Sequence, residues 1–292
     1  MTEDDIMDTL LAVKKTAYEY MDEDGRLDDL PADDYDAITE AYDRHSETRE
    51  TLETALEDHD IDYDVSYVTE LEDLDGYNTV ISLGGDGTAI TTAASIEDQQ
   101  FAPIQSDPSS TAAICTYDHD EAASLATDLA EDNYHLEEWT RAAVERDGEF
   151  LGRVLNDLYV GKEQIYRPSE YVLEHANHTY EQLDNGVVVA TGTGSTAWYT
   201  NTRDDGLATF DRAADELRYA NMMPMQDTDL IQGRISDEES LQITSSMNVN
   251  GAIVLDGDDD AVYSFPRGST VQISIADEPL TVIRSEEDND GV

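Results

Sequence analysis

The run Gly84-Gly85-Asp86-Gly87-Thr88 constrains this chain more than any other stretch. It follows the apolar segment 79–83, which predicts a buried strand, and it precedes small residues that can begin a helix. A glycine-rich turn between a strand and a helix presents backbone N–H groups to an anion, most often a phosphate. We therefore predict a phosphate-binding turn in which positive φ angles at the glycines let the backbone approach its ligand.

The presence of an acidic residue, Asp86, in the middle of this predicted phosphate-binding turn requires a separate explanation. A carboxylate repels phosphate, so phosphate binding alone does not explain it. It is explained if Asp86 accepts a proton from a hydroxyl group, or holds a metal, beside the phosphate. The alternative is an ordinary tight connection, because Gly-Asp-Gly is common turn chemistry.

The charge of the chain is extreme. Its 292 residues include 16 basic and 68 acidic side chains, for a net charge of −52, and the only lysines are Lys14, Lys15 and Lys162. Because 39% of the residues are hydrophobic, we expect a folded protein with an acidic shell rather than a disordered chain. Such a shell resembles proteins of salt-accumulating organisms, in which molar salt screens the repulsion. The charge argues against a nucleic-acid partner, but a nucleotide is compatible with a few local donors.

The compartment is predicted from what the sequence contains. Cys115 is the only cysteine, so neither an intramolecular disulfide nor a cysteine-based zinc site is expected, and we interpret this residue as a small core residue. The acidic N-terminus lacks the apolar core of a signal peptide, and no segment has the length of a transmembrane helix. We therefore expect a cytoplasmic protein without a membrane partner.

The pattern of strand-like and helical segments in the sequence changes at about residue 133. Before it, strand-like segments (9–13, 65–68, 80–83, 101–105) alternate with helical ones (35–59, 121–131). This alternation predicts a doubly wound parallel sheet with helices on both sides, and we assign residues 1–132 to an α/β nucleotide-binding domain. Residues 133–292 carry closely spaced alternating segments and are assigned to a mainly β domain, with a disordered acidic tail from Ser285.

Two features of the second half could contact a nucleoside. Asn156-Asp157 interrupts the apolar run 150–160, and these polar groups could meet a ribose or a base. The alternative is a bulge or turn of a β domain. Val254-Leu255-Asp256-Gly257 is an apolar strand that ends in Asp-Gly, and a simple hairpin turn explains it at least as well as a binding role.

A second glycine-rich loop follows the strand 187–190. Its residues are Thr191-Gly192-Thr193-Gly194-Ser195-Thr196-Ala197-Trp198. Gly192, Gly194 and Ala197 formally match the dinucleotide fingerprint G-x-G-x-x-A. The sequence that follows is a poor helix, so we do not predict a Rossmann unit here. A loop of glycines and hydroxyls before an aromatic ring can still hydrogen-bond a nucleotide and stack on a base.

Taken in order, these motifs resemble the NAD kinase family. The likeness covers roughly residues 9–284, and its closest detail is to the mitochondrial-type branch. In this chain TGTGSTAW stands where other members have TPTGSTAY, and Gln105-Ser106-Asp107-Pro108 replaces a glycine-containing segment. GGDGT by itself is shared with diacylglycerol-type lipid kinases. The resemblance implies an α/β nucleotide domain followed by a β-sandwich-like domain, in a homodimer or homotetramer whose site is completed across subunits.

The resemblance also implies an activity and roles for residues. The reaction would transfer a γ-phosphoryl group to the 2′-hydroxyl of the adenosine ribose of NAD, giving NADP. Asp86 would deprotonate that hydroxyl, Gly84, Gly85, Gly87 and Thr88 would hold phosphates, and Mg²⁺ or another divalent cation would bridge the donor's oxygens. Asn156, Asp157 and the loop 191–198 would bind the nucleoside. The donor would be ATP, another nucleoside triphosphate or polyphosphate, and Lys14 and Arg203 are candidate cations for its charge, although a surface or strand-end cation explains each equally well.

Two alternatives to the NAD kinase hypothesis remain open at this point. A GGDGT-type lipid kinase needs an apolar cleft and a membrane-facing surface, and a chain this acidic would be repelled by anionic lipid. A nucleotide-binding sensor without catalysis is the alternative from another class, and the intact Asp86 argues against it.

Overall fold

The structure, a computed structural model, describes residues 7–71, 74–202, 209–225, 228 and 230–286. The chain forms two compact units. The first comprises Met1–Glu137 together with Thr281–Val292, and the second comprises Glu138–Leu280. The fold class predicted from the sequence is confirmed, because the first unit is α/β and the second is built from antiparallel sheets.

The first unit contains a six-stranded sheet in the order β2-β1-β3-β4-β18-β5. Its described neighbours β1–β2, β1–β3, β3–β4 and β4–β18 are parallel. The strands are β1 Met7–Val13, β2 Tyr63–Tyr67, β3 Tyr77–Gly84, β4 Gln100–Gln105, β5 Tyr134–Trp139 and β18 Leu280–Ser285. The helices are α1 Ala17–Glu23, α2 Ala32–Asp58, α3 Asp86–Ser95 and α4 Ala122–Glu131.

Hydrophobic periodicity explains how the helices cover this sheet. The buried residues of α2 recur at helical spacing and include Leu52 and Leu56, which pack with Leu125 of α4 against Leu11 and Ile81 of the sheet. The neighbouring residues in the same strands, such as Leu10 and Val80, are buried as well. Since successive side chains of a strand point to opposite faces, both faces of the sheet are covered.

The last strand divides the chain differently from the predicted domains. We expected one boundary near residue 133, with everything after it in the second domain. In the structure the units divide at Glu137, and β18 lies between β4 and β5 in the sheet of the first unit. Ser285, where the disordered tail was expected to begin, is the last residue of this strand, and residues 287–292 lie outside the described part.

The second unit contains two six-stranded sheets, in the orders β10-β9-β14-β17-β6-β7 and β13-β12-β11-β8-β15-β16. All their described pairs are antiparallel. The strands are β6 Ala142–Arg146, β7 Glu149–Val154, β8 Asp157–Lys162, β9 Ser169–His175, β10 His178–Asp184, β11 Val187–Ala190, β12 Glu216–Asn221, β13 Gln232–Ser236, β14 Leu241–Ser245, β15 Gly251–Leu255, β16 Val262–Ser264 and β17 Thr270–Ile275.

A shared core joins the two sheets of this unit. Residues from both, among them Val144 and Ile243 of one sheet and Val189 and Ile253 of the other, form one buried hydrophobic cluster. This is the sheet-on-sheet packing of a β-sandwich-like domain.

Some elements were not predicted from the sequence, and their patterns explain why. Helix α1 is short and has no buried residue, so it has no apolar periodicity, although Thr16 and Glu19 form a capping box at its start. In strand β13 only Ile235 is fully buried, and the other residues are too polar to predict a strand from the sequence. No helix in the described part of the chain is long and apolar enough to cross a membrane.

Candidate functional site

The glycine-rich turn connects β3 to α3 as predicted, but its glycines serve close packing. Gly84 ends β3, Gly85 is extended (φ −123°), and Asp86 begins α3. The expected positive φ angles are wrong, because none of Gly84, Gly85 and Gly87 has one. A Cβ at Gly84 would lie 2.2 Å from Thr88 Oγ1, and one at Gly85 would lie 2.8 Å from the Thr111 carbonyl oxygen. Larger residues at these two positions therefore do not fit without a shift.

Gly87 differs from its neighbours, because a Cβ there would meet no atom within 4 Å. It is exposed and lies in the first turn of α3, where the N–H groups of an α-helix have no acceptor within the helix. The first N–H groups and the helix dipole favour an anion at this end. Open space beside them is what a bound phosphate requires.

The Asp86 carboxylate at the same helix end is held in place by backbone groups. The N–H of Ile114 donates to Asp86 Oδ1 at 2.8 Å, and the N–H of Asp86 donates to the Thr111 carbonyl at 3.0 Å. The side chain is half-buried. A carboxylate so oriented beside an anion site can accept a proton from a hydroxyl group placed there.

Other groups converge on this edge of the sheet because the strands are parallel. Lys14 follows β1 directly, and its N–H donates to the Leu83 carbonyl at 3.0 Å, next to Gly84. The N–H of Ser106, which follows β4, donates to the Gly84 carbonyl at 2.9 Å. Ligands of α/β sheets bind at the carboxyl ends of strands. Arg203, the other candidate cation, lies outside the described residues.

Arg44 of α2 is a residue that the sequence did not point to. Its Nε donates to Asp107 Oδ1 at 2.7 Å, in the loop that follows β4. Although burial raises the pKa of Asp107, hydrogen bonds from Arg44 and Ser109 outweigh it and lower that pKa to about 2. The two partners are 63 positions apart, so no local pattern reveals the pair.

Asn156 and Asp157 lie in the second unit, where the chain passes from β7 to β8. The Asp256 carboxylate accepts the N–H of Leu155 at 2.9 Å and the N–H of Asn156 at 2.7 Å. The N–H of Asp256 in turn donates to the Asp157 carbonyl at 2.8 Å. Asp256 has the left-handed backbone of a turn (φ 53°), yet its side chain fixes the Asn-Asp connection. It is thus more than a hairpin turn.

The carboxyl group of Asp157 is buried and only partly satisfied. Burial raises its pKa to about 6, while a hydrogen bond from the Trp198 N–H opposes this rise. Its Oδ2 atom is buried and has no hydrogen-bond partner among the described residues. Because buried polar atoms are nearly always paired, an atom of this kind is suited to a ligand's hydroxyl or amino group.

The loop 191–198 packs against the Asn-Asp connection. Thr191 Oγ1 donates to the Leu155 carbonyl at 2.5 Å, and the N–H of Thr191 donates to the Asn156 carbonyl at 3.1 Å. A Cβ at Gly194 would lie 1.9 Å from the Asn156 carbonyl oxygen. The structure therefore brings these two predicted motifs together, with Gly194 as the point of closest approach.

The residues of this loop differ in what they can offer a ligand. Thr191 and Ser195 use their hydroxyls inside the loop, since Ser195 Oγ donates to the Gly192 carbonyl at 2.6 Å. Gly192 is packed against the Asp211 carbonyl, which leaves no room for a side chain. Thr196 and Trp198 are exposed, and Ala197 is half-buried. Thr193 Oγ1 is buried and has no hydrogen-bond partner in the described part of the chain.

Trp198 lines an open cavity of about 850 Å³ in the second unit. Its ring lies 5.8 Å from the ring of Tyr159. The cavity wall is apolar and amide-bearing, and none of the described residues that line it is charged. Besides Trp198, the wall includes Ile165, Tyr166, Asn185, Met222, Met223 and Leu230.

The topology around β11 agrees with the rejection of a Rossmann unit. The two neighbours of β11, β8 and β12, are both antiparallel to it. The segment after β11 forms short 3-10 turns over Thr193–Thr196 and Trp198–Thr202 rather than an α-helix. A dinucleotide fingerprint needs a parallel βαβ unit, so the match at Gly192, Gly194 and Ala197 is only formal.

The described side chains do not form a cation site of their own. Among residues 7–71, 74–202, 209–225, 228 and 230–286, no group of three His, Cys, Asp or Glu side chains is arranged to hold a metal ion. Mg²⁺ prefers several oxygen ligands and is often held partly by substrate phosphates. A divalent cation here would fit only if a phosphate donor supplied most of its ligands.

The comparisons with known proteins give a fold. No protein-family model matches the sequence, and no curated protein does. An NAD kinase from Archaeoglobus fulgidus in complex with ATP is similar in structure, with a TM-score of 0.68 and 14% identity over 96% of this chain and 94% of that one. Yeast NADH kinase complexed with NADH is also similar, with a TM-score of 0.69 and 11% identity over 98% of this chain and 86% of that one. The chain has the fold of these structures.

Proposed function

We propose that this chain, which shares its fold with an NAD kinase and an NADH kinase, transfers a γ-phosphoryl group to the 2′-hydroxyl of the adenosine ribose of NAD. The observation that carries the proposal is the start of α3, where the held carboxylate of Asp86 adjoins the open backbone at Gly87. A lone phosphate site would not need the carboxylate. A hydroxyl acceptor beside a phosphate does.

The bond changes assign a task to each group. A bond forms between the 2′-oxygen and the γ-phosphorus, and the bond from that phosphorus to the bridging oxygen of the donor breaks. Asp86, whose Oδ1 accepts the N–H of Ile114, takes the hydroxyl proton on its other oxygen in this proposal. The first-turn N–H groups of α3, with Gly87 and Thr88, bind donor phosphate.

The second unit binds the nucleoside part of the acceptor in this proposal. Asp157 Oδ2 and Thr193 Oγ1, which have no hydrogen-bond partner among the described residues, form hydrogen bonds with the adenosine. The exposed ring of Trp198 stacks on the base. Asn156 contributes its amide, while Thr191, Gly192, Gly194 and Ser195 fix the loop that carries Thr196 and Ala197.

Few basic side chains are present in this chain to balance the negative charge of the donor's phosphates. Lys14 is the described cation that we assign to the phosphates, because it follows β1 at the edge where the Gly84 turn lies. Mg²⁺ or another divalent cation, held chiefly by the donor's own oxygens, would neutralise further charge.

The direct test is an assay for NADP. The protein is incubated in high KCl with Mg²⁺ and NAD or NADH, and with ATP, another nucleoside triphosphate or polyphosphate as donor. The product, NADP from NAD or NADPH from NADH, is measured with an enzyme assay specific for the phosphorylated dinucleotide. Product from at least one donor is expected, and its absence with every donor would remove the kinase proposal.

The assay also separates the alternatives. A GGDGT lipid kinase would phosphorylate a diacylglycerol-type lipid in vesicles and leave NAD unchanged. A sensor would bind NAD, detected by calorimetry, without forming product. We favour the NAD kinase because the second unit offers buried polar atoms suited to a nucleoside rather than an acyl chain.

Replacing the proposed base gives the first mutational prediction. Asp86→Asn keeps the size of the side chain and the acceptor for Ile114, but it cannot take a proton. We expect kcat to fall by about 10²–10⁴-fold, the usual contribution of a general base, while NAD binding measured by calorimetry persists. A rate within a few-fold of wild type would mean that Asp86 is not the base.

We further propose a homodimer or homotetramer in which a second copy covers the cavity face of the second unit. Met223 and Tyr166 there are each 72% exposed, and Leu230 is 53% exposed. Because the described lining carries no charge, two copies of a chain with a net charge of −52 meet there without bringing charged lining residues together. Large exposed apolar patches commonly mark protein contacts.

The oligomer is tested with Met223→Asp in light scattering coupled to gel filtration in high KCl. Met223 has a left-handed backbone (φ 48°), which Asp tolerates well, so the change should not unfold the chain. We expect a shift to a smaller species. Val249→Asp, at a residue that is 63% exposed and does not line the cavity, is the control and should keep the wild-type mass. An unchanged mass for Met223→Asp would contradict the proposal.

A further inference from the structure

An ion pair ties helix α2 to the loop that follows β4. Arg44 Nε donates to Asp107 Oδ1 at 2.7 Å, and Arg44 Nη2 lies 3.5 Å from Asp107 Oδ2 and 3.4 Å from Ser109 Oγ. The Asp107 side chain is only 8% exposed, whereas that of Arg44 is 36% exposed. A forked guanidinium on a nearly buried carboxylate fixes orientation as well as distance.

Further hydrogen bonds hold the same loop. Thr48, one turn after Arg44 in α2, donates its hydroxyl to the Ser106 carbonyl at 3.0 Å. The Asp107 carboxylate also accepts the N–H of Ser109 at 3.0 Å and its hydroxyl at 2.7 Å. Gln105 Nε2 donates to the Ser110 carbonyl at 2.9 Å. Helix α2 therefore holds the loop at two points, and Asp107 organises the turn that follows.

The far end of this loop holds the Asp86 carboxylate. Ile114 donates to Asp86 Oδ1, and Thr111 accepts the N–H of Asp86. The Thr111 carbonyl oxygen also lies 2.8 Å from the position that a Cβ of Gly85 would take. A movement of the loop therefore moves the groups that orient Asp86.

We propose that Arg44 is a positioning residue, which acts through Asp107 and the loop 106–114 to hold the Asp86 carboxylate in its reactive orientation. The proposal rests on the proposed function in that Asp86 is taken as the base. It also gives a role to Ser106-Asp107-Pro108, the segment that departs from the glycine-containing pattern of the family that the chain resembles. Small misplacements of a reacting group can cost about 10²-fold in rate.

Helix α2 offers a matched control for this ion pair. Arg49 Nε pairs with Glu53 Oε1 at 2.7 Å, and its side chain is 33% exposed. Arg49→Ala thus removes from the same helix an arginine of similar exposure with an Nε–carboxylate contact of the same length, but it leaves the pair with Asp107 intact. Any general loss of helix stability should appear equally in Arg44→Ala and Arg49→Ala.

The first measurement needs no activity. Hydrogen–deuterium exchange of peptides covering 84–90 and 106–116 is compared in high KCl for wild type, Arg44→Ala, Asp107→Asn and Arg49→Ala. We expect faster exchange of both segments in Arg44→Ala, a smaller effect in Asp107→Asn, and none in Arg49→Ala. Unchanged exchange in Arg44→Ala would overturn the proposal, whether or not the protein is a kinase.

The second measurement separates positioning from a merely structural role. In the NADP assay, we expect Arg44→Ala to lower kcat by about 10- to 100-fold with the KM for NAD within about two-fold. Arg44→Lys should recover only part of the loss, because an ammonium cannot make the forked contact. Adding Asp86→Asn to Arg44→Ala should give about the rate of Asp86→Asn alone, since both act on one group.

The outcomes distinguish the two proposals. A wild-type protein that makes no NADP refutes the proposed function, while the exchange data still decide whether Arg44 holds the loop. A wild-type kinase in which Arg44→Ala and Arg49→Ala have equal kcat refutes the positioning role. Loss of kcat together with faster exchange at 84–90, absent from Arg49→Ala, supports it.

Discussion

At the scale of single residues, buried carboxylates of the second unit have an energetic effect besides any part in binding. Asp256 is half-buried as a residue, and the desolvation of its carboxyl group raises its pKa to about 7, against 3.8 for the ordinary side chain. The N–H groups of Leu155 and Asn156 oppose the rise without cancelling it, and the neighbouring charge of Asp157 adds to it. The native state therefore binds a proton that the unfolded chain releases near pH 4.

This difference predicts how stability depends on pH. Between a pH of about 4 and about 7 the native state holds more protons than the unfolded state, so the free energy of unfolding falls as the pH rises. Each unit by which the native pKa exceeds the unfolded one corresponds to about 1.4 kcal/mol. Asp256→Asn mimics the protonated form, so urea unfolding in high KCl should show a flatter pH slope between about pH 4 and 7.

Asp147 is the control for this experiment. Its exposed carboxylate accepts hydrogen bonds from Ser269 and Thr270, and these lower its pKa. Its stabilisation is therefore lost only as the pH falls below the ordinary range, the opposite sign. Asp147→Asn should shift the whole curve without changing its slope at neutral pH. An equal slope in wild type and Asp256→Asn would contradict the assignment.

The same residues show what a sequence can and cannot reveal. Asp86 was recognisable because its chemistry is out of place in a run of glycines. Asp256 could be found only as the end of an apolar strand, because the N–H groups that it binds lie 101 and 100 positions earlier in the chain. Arg44 had no signal at all. Contacts of this kind depend on which loops the sheet brings to one edge.

At the scale of elements, the start of α3 separates packing from binding. A Cβ at Gly84 meets Thr88 Oγ1 at 2.2 Å, whereas a Cβ at Gly87 meets nothing. We expect Gly84→Ala to destabilise the protein by about 1–3 kcal/mol through overpacking. Gly87→Ala should instead stabilise it by about 0.5–1 kcal/mol, because alanine is the better helix former.

For Gly87→Ala, we expect activity to fall although stability rises. If phosphate occupies the space beside Gly87, the added methyl group enters that space and raises the KM for the phosphate donor. Thermal melts and donor titrations of Gly87→Ala together check this. A variant that is more stable and equally active would show that the space is not used.

The prediction of elements succeeded where the hydrophobic period was strong. Helix α4 was predicted over 121–131 and is found at Ala122–Glu131. The apolar run 150–160, which the Asn-Asp pair interrupts in the sequence, forms two strands, β7 and β8, whose partners lie in different sheets. Apolar patterning shows that a segment is buried, but it does not show which sheet the segment joins.

At the scale of the whole molecule, the charge of −52 is the dominant property. The repulsion among exposed carboxylates opposes the compact state, and at molar salt the Debye length falls to about 3 Å. We therefore expect the melting temperature to rise strongly from about 0.05 M to about 3 M KCl, followed by circular dichroism. Identical melts at both concentrations would contradict the inference of adaptation to salt.

Strand β18 has a consequence for how this protein is made. It occupies the place between β4 and β5, so the first sheet cannot close until residues 280–285 have been synthesised and have left the ribosome. Until then β4 and β5 each have an unpaired edge. A truncation after Glu137 would keep that gap, whereas the second unit is one continuous segment. Arg284 Nε of β18 lies 3.5 Å from Glu137 Oε1 of β5. A complete first unit made without the second therefore needs both segments, with a linker that joins Glu137 to Thr281 in place of residues 138–280.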